Sequence, residues 1–200
     1  MEVKAIFGIF SAVFTLIGAY YYLRSIHKKE SNPHLLSWVG WTFITTIGAF
    51  AMLDSGSTWA TIFIFANSAS SMSVVLYSMY KKVGIWSTTI YDYIFFSLGI
   101  LGIILWQLLN MPLVAIILSV LADLLFAIPT VIKVYRNPRS ESANGWIPYC
   151  IAGIFGLLAI RSISLTETLY PFYIFFINFL ILIIILFKKN KIKNAEINKN

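Results

Sequence analysis

The chain has 200 residues, of which 59% are hydrophobic and only 12% are charged, and its mean hydropathy is +0.82. Soluble domains carry roughly one quarter charged residues, so this composition excludes a soluble protein and indicates one that crosses a membrane several times. The net charge of +7 does not require a nucleic-acid partner, because membrane proteins normally keep basic residues in their inner loops. No binding to nucleic acid is expected.

Seven apolar segments follow one another along the chain, each near the ~20 residues that an α-helix needs to cross hydrocarbon. They are residues 4–23, 36–53, 58–80, 87–109, 111–131, 146–160 and 169–187. The gaps between them are too short for a soluble domain. The sequence therefore predicts an all-α membrane protein, one compact bundle of seven transmembrane helices whose surroundings are the lipid bilayer.

The basic residues occupy alternate gaps. All but two of the 15 lysines and arginines lie after the first, third, fifth and seventh segments, and the exceptions are Lys4 and Arg161. Because cytoplasmic loops retain lysine and arginine, the N-terminus is expected outside and the C-terminus in the cytoplasm. The tail, rich in Lys, Ile and Asn, indicates a bacterial source and hence the cytoplasmic membrane.

Two stretches of the chain resemble each other at an offset of 108 residues, which pairs Trp38 with Trp146. In each stretch a long helix ends in a basic loop, a tryptophan opens the next helix, and the third helix ends in Lys-Lys. This predicts two parallel three-helix repeats joined by a linker helix that restores their common orientation. The alternative is that any two stretches of helical membrane protein share such features. The expected units are 1–82 (first repeat), 83–110 (linker), 111–189 (second repeat) and 190–200 (basic cytoplasmic tail).

The second basic loop carries a motif. The run from Pro129 to Arg136, PTVIKVYR, is followed by Ser-Glu-Ser at 140–142 and by Gly145, and it resembles the PQ-loop signature, with Thr130 where that family usually has glutamine. Together with the 3+1+3 arrangement, the chain is similar to the SWEET, SemiSWEET and PQ-loop transporter superfamily. The resemblance implies a carrier with a central site between its two repeats.

Sugar-transporting members of that superfamily typically have a proline in both leading helices of each repeat. This chain has Pro129 and Pro148 in its second copy, and these are the expected hinges. In the first copy Tyr21 and Gly40 stand at the matching positions, so a hinge is not expected there. Vitamin transporters share a similar seven-helix plan, and the fold by itself does not select a substrate.

Two asparagines, Asn67 and Asn178, lie near the middle of the third and seventh segments. A buried amide is costly unless it is hydrogen-bonded, and its donors and acceptor suit the hydroxyl groups of a sugar-like solute. The resemblance also places paired asparagines at the substrate. Ser71 follows Asn67 by one helical turn and shares its face. These three are candidate substrate-binding residues, and helix-to-helix hydrogen bonds or close packing are the alternative.

Trp38 and Trp146 open the second and sixth segments, where they can stack on a ring-shaped solute or close a gate. Both are included among the candidate substrate-binding residues. Tryptophan is also enriched at membrane interfaces for reasons unrelated to a solute. The other tryptophans, Trp41 among them, fit such an interfacial belt.

Asp123 places a carboxyl group near the centre of the fifth segment. A charge in hydrocarbon is costly, so this side chain is expected to face a cavity, to be protonated or to hold a partner. It is the candidate for proton coupling, because a carboxyl group can load and unload a proton during alternating access. The structural alternative is a neutral Asp123 bonded to a neighbouring helix or to backbone freed by Pro129.

These residues predict a carrier that moves a small-molecule substrate, first of all a sugar-like solute, by alternating access. Proton-coupled transport of an amino acid, vitamin or organic cation through Asp123, and a seven-helix ligand receptor of the same fold, are the alternatives. An enzyme is not expected, because no catalytic motif is present and Asp123 has no second buried carboxylate beside it. We expect neither a cofactor nor a metal site, because the chain has only one cysteine, Cys150, and two histidines. Assembly into a homo-oligomer stays open.

Overall fold

A computed structural model of the chain describes residues 2–86 and 111–197, with scattered positions between them. The elements are α1 (Val3–His27), α2 (Leu35–Asp54), α3 (Trp59–Lys81), α4 (Pro112–Arg136), a 3-10 turn (Pro138–Ser140), α5 (Ala143–Leu158) and α6 (Leu165–Ile197). Five of these helices are long and apolar enough to cross a membrane, and α5 is a shorter apolar helix. The described part of the chain is thus all-α, with the apolar helices of a membrane-embedded protein.

The helices correspond to the first three and last three predicted segments. The predicted fourth segment, with the linker assigned to 83–110, lies outside the described residues apart from a few positions. Three helices are longer than predicted, and the first of them, α1, continues to His27. α4 continues to Arg136, so the stretch after Pro129 is helical rather than a loop, and basic residues in its last turn complement the helix dipole. α6 continues to Ile197, into the predicted tail.

The helices form a closed ring. α3 packs between α1 and α2, and α6 packs between α4 and α5. These two sets, α1–α3 and α4–α6, are called the first and second triplets below. The triplets join where α1 packs against α5 and α2 packs against α4. The first helix of each triplet therefore meets the second helix of the other, which is the pattern that a twofold axis produces.

One end of the ring gathers the segments that carry most of the basic residues, and it is called the basic end below. The loops after α1, α3 and α4 meet there with the later part of α6. The hydrogen bonds that join them are Asn32 N to Ser140 O (3.0 Å), Ile85 N to Pro33 O (2.8 Å) and Lys189 Nζ to Glu141 O (2.7 Å). It follows that α1, α3, α4 and α6 run toward the basic end, whereas α2 and α5 run away from it.

The opposite end holds the start of α1 and α3 and the end of α5. There Lys4 Nζ donates to Leu158 O at 2.8 Å, and Trp59 Nε1 donates to Glu2 Oε2 at 2.8 Å. The segments that carry most of the basic residues, which the sequence placed on one side of the membrane, thus meet at one end of the ring. In each triplet, the first and third helices run toward the basic end and the second helix runs away from it.

Two glycines allow the triplets to approach closely. Gly48 of α2 lies against the ring of Tyr170 on α6, and Gly156 of α5 lies against the ring of Phe63 on α3, where an added Cβ would be 2.5 Å from Cδ1. The two glycines are separated by the same 108 positions that pair Trp38 with Trp146. Small residues at such crossings let buried aromatic rings fill the space between helices.

Candidate functional site

A cavity of about 40 Å³ lies inside the ring, and it is called the central cavity below. Its walls come from five of the six described helices and from both triplets. The lining residues are Trp38, Trp41, Thr45, Asn67, Ser70, Ser71, Asp123, Trp146, Tyr149, Ile174, Ile177 and Asn178. Since one water molecule needs about 10–15 Å³ of such space, the cavity has room for a few water molecules.

The central cavity brings together the candidate binding residues from the sequence. Asn67, Ser71 and Asn178 line it, and both asparagines are more than nine-tenths buried. Asn67 Nδ2 donates to Phe63 O of its own helix at 2.8 Å. Asn178 makes no side-chain hydrogen bond to the described part of the chain. Neither amide forms the helix-to-helix bond that was the structural alternative, so both retain unused hydrogen-bonding capacity at the cavity.

Asp123 also lines the central cavity and is 2% exposed. Its two carboxylate oxygens accept hydrogen bonds from the hydroxyl groups of Tyr173 (2.8 Å) and Tyr170 (3.1 Å), both on α6. The indole N–H of Trp41 lies nearby without reaching hydrogen-bond geometry. The anticipated bond to a neighbouring helix is therefore present, and so is access to the cavity. Two hydroxyl donors satisfy only part of what a carboxylate can accept.

Trp38 and Trp146 lie inside the bundle. They are 3% and 1% exposed, and their ring centroids are 6.2 Å apart. Tyr22 packs against both rings on the side of the basic end, at 4.7 and 5.8 Å. Placement in an interfacial belt is therefore wrong for these two and for Trp41, which is 7% exposed. Distance from a segment end does not reveal which helical face a tryptophan occupies.

Two indole donors near the central cavity have no partner in hydrogen-bond geometry in the described part of the chain. Nε1 of Trp38 and Nε1 of Trp41 are buried, and neither has a hydrogen-bond partner among the described residues. A buried indole N–H normally finds an acceptor, because leaving it unpaired costs free energy. An acceptor lies close to each, the carboxylate of Asp123 for Trp41 and the hydroxyl group of Tyr22 for Trp38.

Three tyrosines at the site were missed from the sequence. Tyr149 lines the central cavity and its hydroxyl group lies 2.6 Å from Ser70 Oγ, and Tyr170 and Tyr173 hold Asp123. Tyrosine is common near membrane interfaces, so its presence alone is no signal. The spacing of Tyr170, Ile174 and Asn178, one helical turn each, places them on one face of α6 and was the available clue.

The buried carboxylate of Glu141 was also missed. Glu141 is 0% exposed and forms an ion pair with Lys133 at 2.5 Å. It also accepts hydrogen bonds from Tyr22 Oη (2.9 Å) and Trp146 Nε1 (3.2 Å). Glu141 does not line the central cavity with Asp123, and its place in a basic loop gave no sign in the sequence that it is buried. Its partners differ from those of Asp123, and Glu141 ties together α1, α4 and α5 at the basic end.

The predicted hinge prolines both lie inside helices, Pro129 in α4 and Pro148 in α5. A third, Pro171, lies in α6 directly after Tyr170. A proline inside a helix removes one backbone hydrogen bond and is a common place for bending. All three helices of the second triplet therefore contain such a position, and the role of Pro129 and Pro148 as hinges stays a prediction.

The central cavity combines amide, hydroxyl and carboxylate groups with tryptophan and tyrosine rings, and none of the described residues that line it is basic. Within the described ranges, no three His, Cys, Asp or Glu side chains are grouped in a way that could hold a metal ion. These groups can bind hydroxyl or ammonium groups and stack on a ring. Comparison of the chain with protein-family models, with curated proteins and with solved structures finds no match.

Proposed function

We propose that this chain is a membrane carrier that moves a small polar solute by alternating access through the central cavity. The observation that supports it best is the convergence of polar and aromatic side chains from both triplets around one buried space. Buried polar groups in membrane helices are costly and commonly mark a substrate pathway. A sugar-like solute is the first candidate, because Asn67, Asn178 and Asp123 can bind hydroxyl groups while Trp38 and Trp146 stack on a ring.

The proposal includes a divergent PQ-loop and SWEET-like architecture of two three-helix repeats joined by a linker helix. Two observations support this architecture. The three helices pack in the same order in both triplets, and corresponding helices run in the same direction. Both α3 and α4 end at the basic end, so a seventh helix within 83–110 would return the chain to the opposite end. With the basic end in the cytoplasm, the N-terminus lies outside, and a bacterial cytoplasmic membrane is the proposed location.

Proton-coupled transport is the second candidate. Among the described residues that line the central cavity, Asp123 is the one carboxylate, and none is a lysine or an arginine. An ammonium group of an amino acid or organic cation could pair with this carboxylate and lie against the faces of Trp38 and Trp146. In a coupled carrier, Asp123 would exchange a proton for the hydrogen bonds of the solute.

The test is uptake of labelled sugars, amino acids, vitamins and organic cations into proteoliposomes, with and without an imposed pH gradient. For an accepted solute, Asn67→Ala and Asn178→Ala should each lower uptake about tenfold, since a lost hydrogen bond to a buried partner costs roughly 1–3 kcal/mol. Ser73→Ala is the matched control, because Ser73 lies on α3 but does not line the cavity and bonds to Ser70 O. Unchanged uptake in both asparagine variants would refute the assigned site.

The same assay separates the alternatives. If accumulation follows the pH gradient and Asp123→Asn abolishes that dependence, transport is proton-coupled. If accumulation ignores the gradient and Asp123→Asn has no effect, coupling through Asp123 is refuted. Saturable binding of a solute without any flux would instead favour a receptor.

A further inference from the structure

A second polar pocket, of about 220 Å³, lies at the basic end and shares no lining residue with the central cavity. It is called the basic-end pocket below. Its walls come from the end of α1, the loop that follows, and the start of α5. Residues that line it include Tyr21, Arg24, Lys28, Glu30, Ser142 and Asn144.

Two cations line the basic-end pocket without a carboxylate partner. Arg24 and Lys28 are one helical turn apart and exposed, and neither forms an ion pair with a described residue. Glu30, the one acidic residue among the described residues that line the pocket, lies close enough to Lys189 to act on it electrostatically. The balance of charge at the pocket is therefore positive and favours an anion.

The N-terminus of α5 opens into the same pocket. Ser142 is its N-cap residue, but the serine side chain does not cap the helix, so the first-turn N–H groups are left without that acceptor. Ser142 is more than nine-tenths buried and lines the pocket, and its hydroxyl group has no hydrogen-bond partner in the described part of the chain. The Ser142 hydroxyl group, a helix N-terminus and two cations all line one space. Together they form an arrangement that binds anions.

We propose that the basic-end pocket binds a phosphate group, carried by the headgroup of an anionic lipid or present as free phosphate. Phosphate offers several acceptor oxygens, which suit donors that converge from α1 and from α5. Tyr21 is 42% exposed at the rim of the pocket, and an exposed tyrosine beside basic residues is typical of the headgroup level of a bilayer. This favours the lipid as the source.

The test measures binding of short-chain phosphatidylglycerol, short-chain phosphatidylcholine and inorganic phosphate to the full-length protein in neutral detergent, by native mass spectrometry and calorimetry. The wild-type protein should bind phosphatidylglycerol at least about tenfold more tightly than phosphatidylcholine. The double variant Arg24→Gln/Lys28→Gln should bind phosphatidylglycerol about tenfold more weakly than the wild type. The matched control is Arg136→Gln/Lys82→Asn, which removes two other exposed basic residues that do not line the pocket. It should retain wild-type affinity.

Asn144→Asp tests the pocket without threatening the fold. The substitution conserves side-chain size at an exposed position, and an acidic residue stabilises the first turn of a helix. The added negative charge should nevertheless abolish the preference for phosphatidylglycerol. If inorganic phosphate binds in a pocket-dependent way and phosphatidylglycerol does not, the source is free phosphate. The proposal is overturned if the wild type and both pocket variants bind phosphatidylglycerol and phosphate equally well. It is also overturned if the pocket double variant and the control double variant lose the same affinity.

Discussion

Replacing Glu141 by glutamine removes one charge and nearly preserves the shape of the side chain. Glu141 is fully buried, pairs with Lys133 at 2.5 Å and accepts bonds from Tyr22 and Trp146. Loss of one partner from a buried ion pair costs about 3–5 kcal/mol, because the other charge is left uncompensated. The Lys133 side chain is 10% exposed and also donates to Asn32 O at 2.6 Å. We therefore expect Glu141→Gln to lower the free energy of unfolding by about 3 kcal/mol.

A double-mutant cycle with Lys133→Met isolates the pair, with the free energy of unfolding measured by titration with a denaturing detergent. The double variant should be more stable than the sum of the single effects predicts, by about 1 kcal/mol or more. The control is Arg136→Gln, at an exposed position of α4, the helix that carries Lys133, and it should change stability by less than about 0.5 kcal/mol. Additive single effects, or a Glu141→Gln protein as stable as wild type, would refute the view that Glu141 and Lys133 form a desolvated pair.

Three further predictions concern packing and access. Gly156→Ala should destabilise the protein by about 1–3 kcal/mol, because the added Cβ would overlap the Phe63 ring. Thermal unfolding measures this effect, and the second substitution Phe63→Leu should restore part of the lost stability. Tyr173→Phe should cost about 1.5–3 kcal/mol in detergent unfolding if Asp123 is ionised, and a change near zero would contradict a bond to a charged group. Cys150 is 7% exposed, so a membrane-permeable maleimide should label it much more slowly in the native protein than after unfolding, and equal rates would contradict its burial.

The candidate site could be predicted from the sequence where a residue type conflicted with its surroundings. Asn67, Asn178 and Asp123 stood out because polar groups are costly in hydrocarbon, and the structure places all three at one cavity. Trp41 and Tyr170 could not be assigned in the same way. Their rings suit both a membrane interface and a protein interior, and only the helical face that they occupy separates the two.

Glu141 shows a different limit. Its neighbours in sequence are polar and basic, and such a segment gives no local sign of a buried side chain. Its burial depends on Tyr22, 119 residues earlier, and on the end of α6, where Lys189 bonds to its carbonyl oxygen. Such long-range partners leave no local pattern in the sequence.

By itself, the sequence determined the all-α character of the described chain, the approximate limits of its apolar helices and the segregation of its basic residues to one end. These follow from hydrophobic length and from charge position, which are local properties. Only the tertiary structure decided that α1 packs against α5 and α2 against α4, that Trp38, Trp41 and Trp146 are buried, and that side chains from both triplets line one central cavity. Those features depend on side chains from distant segments competing for the same space, where each helical face is chosen by its partners.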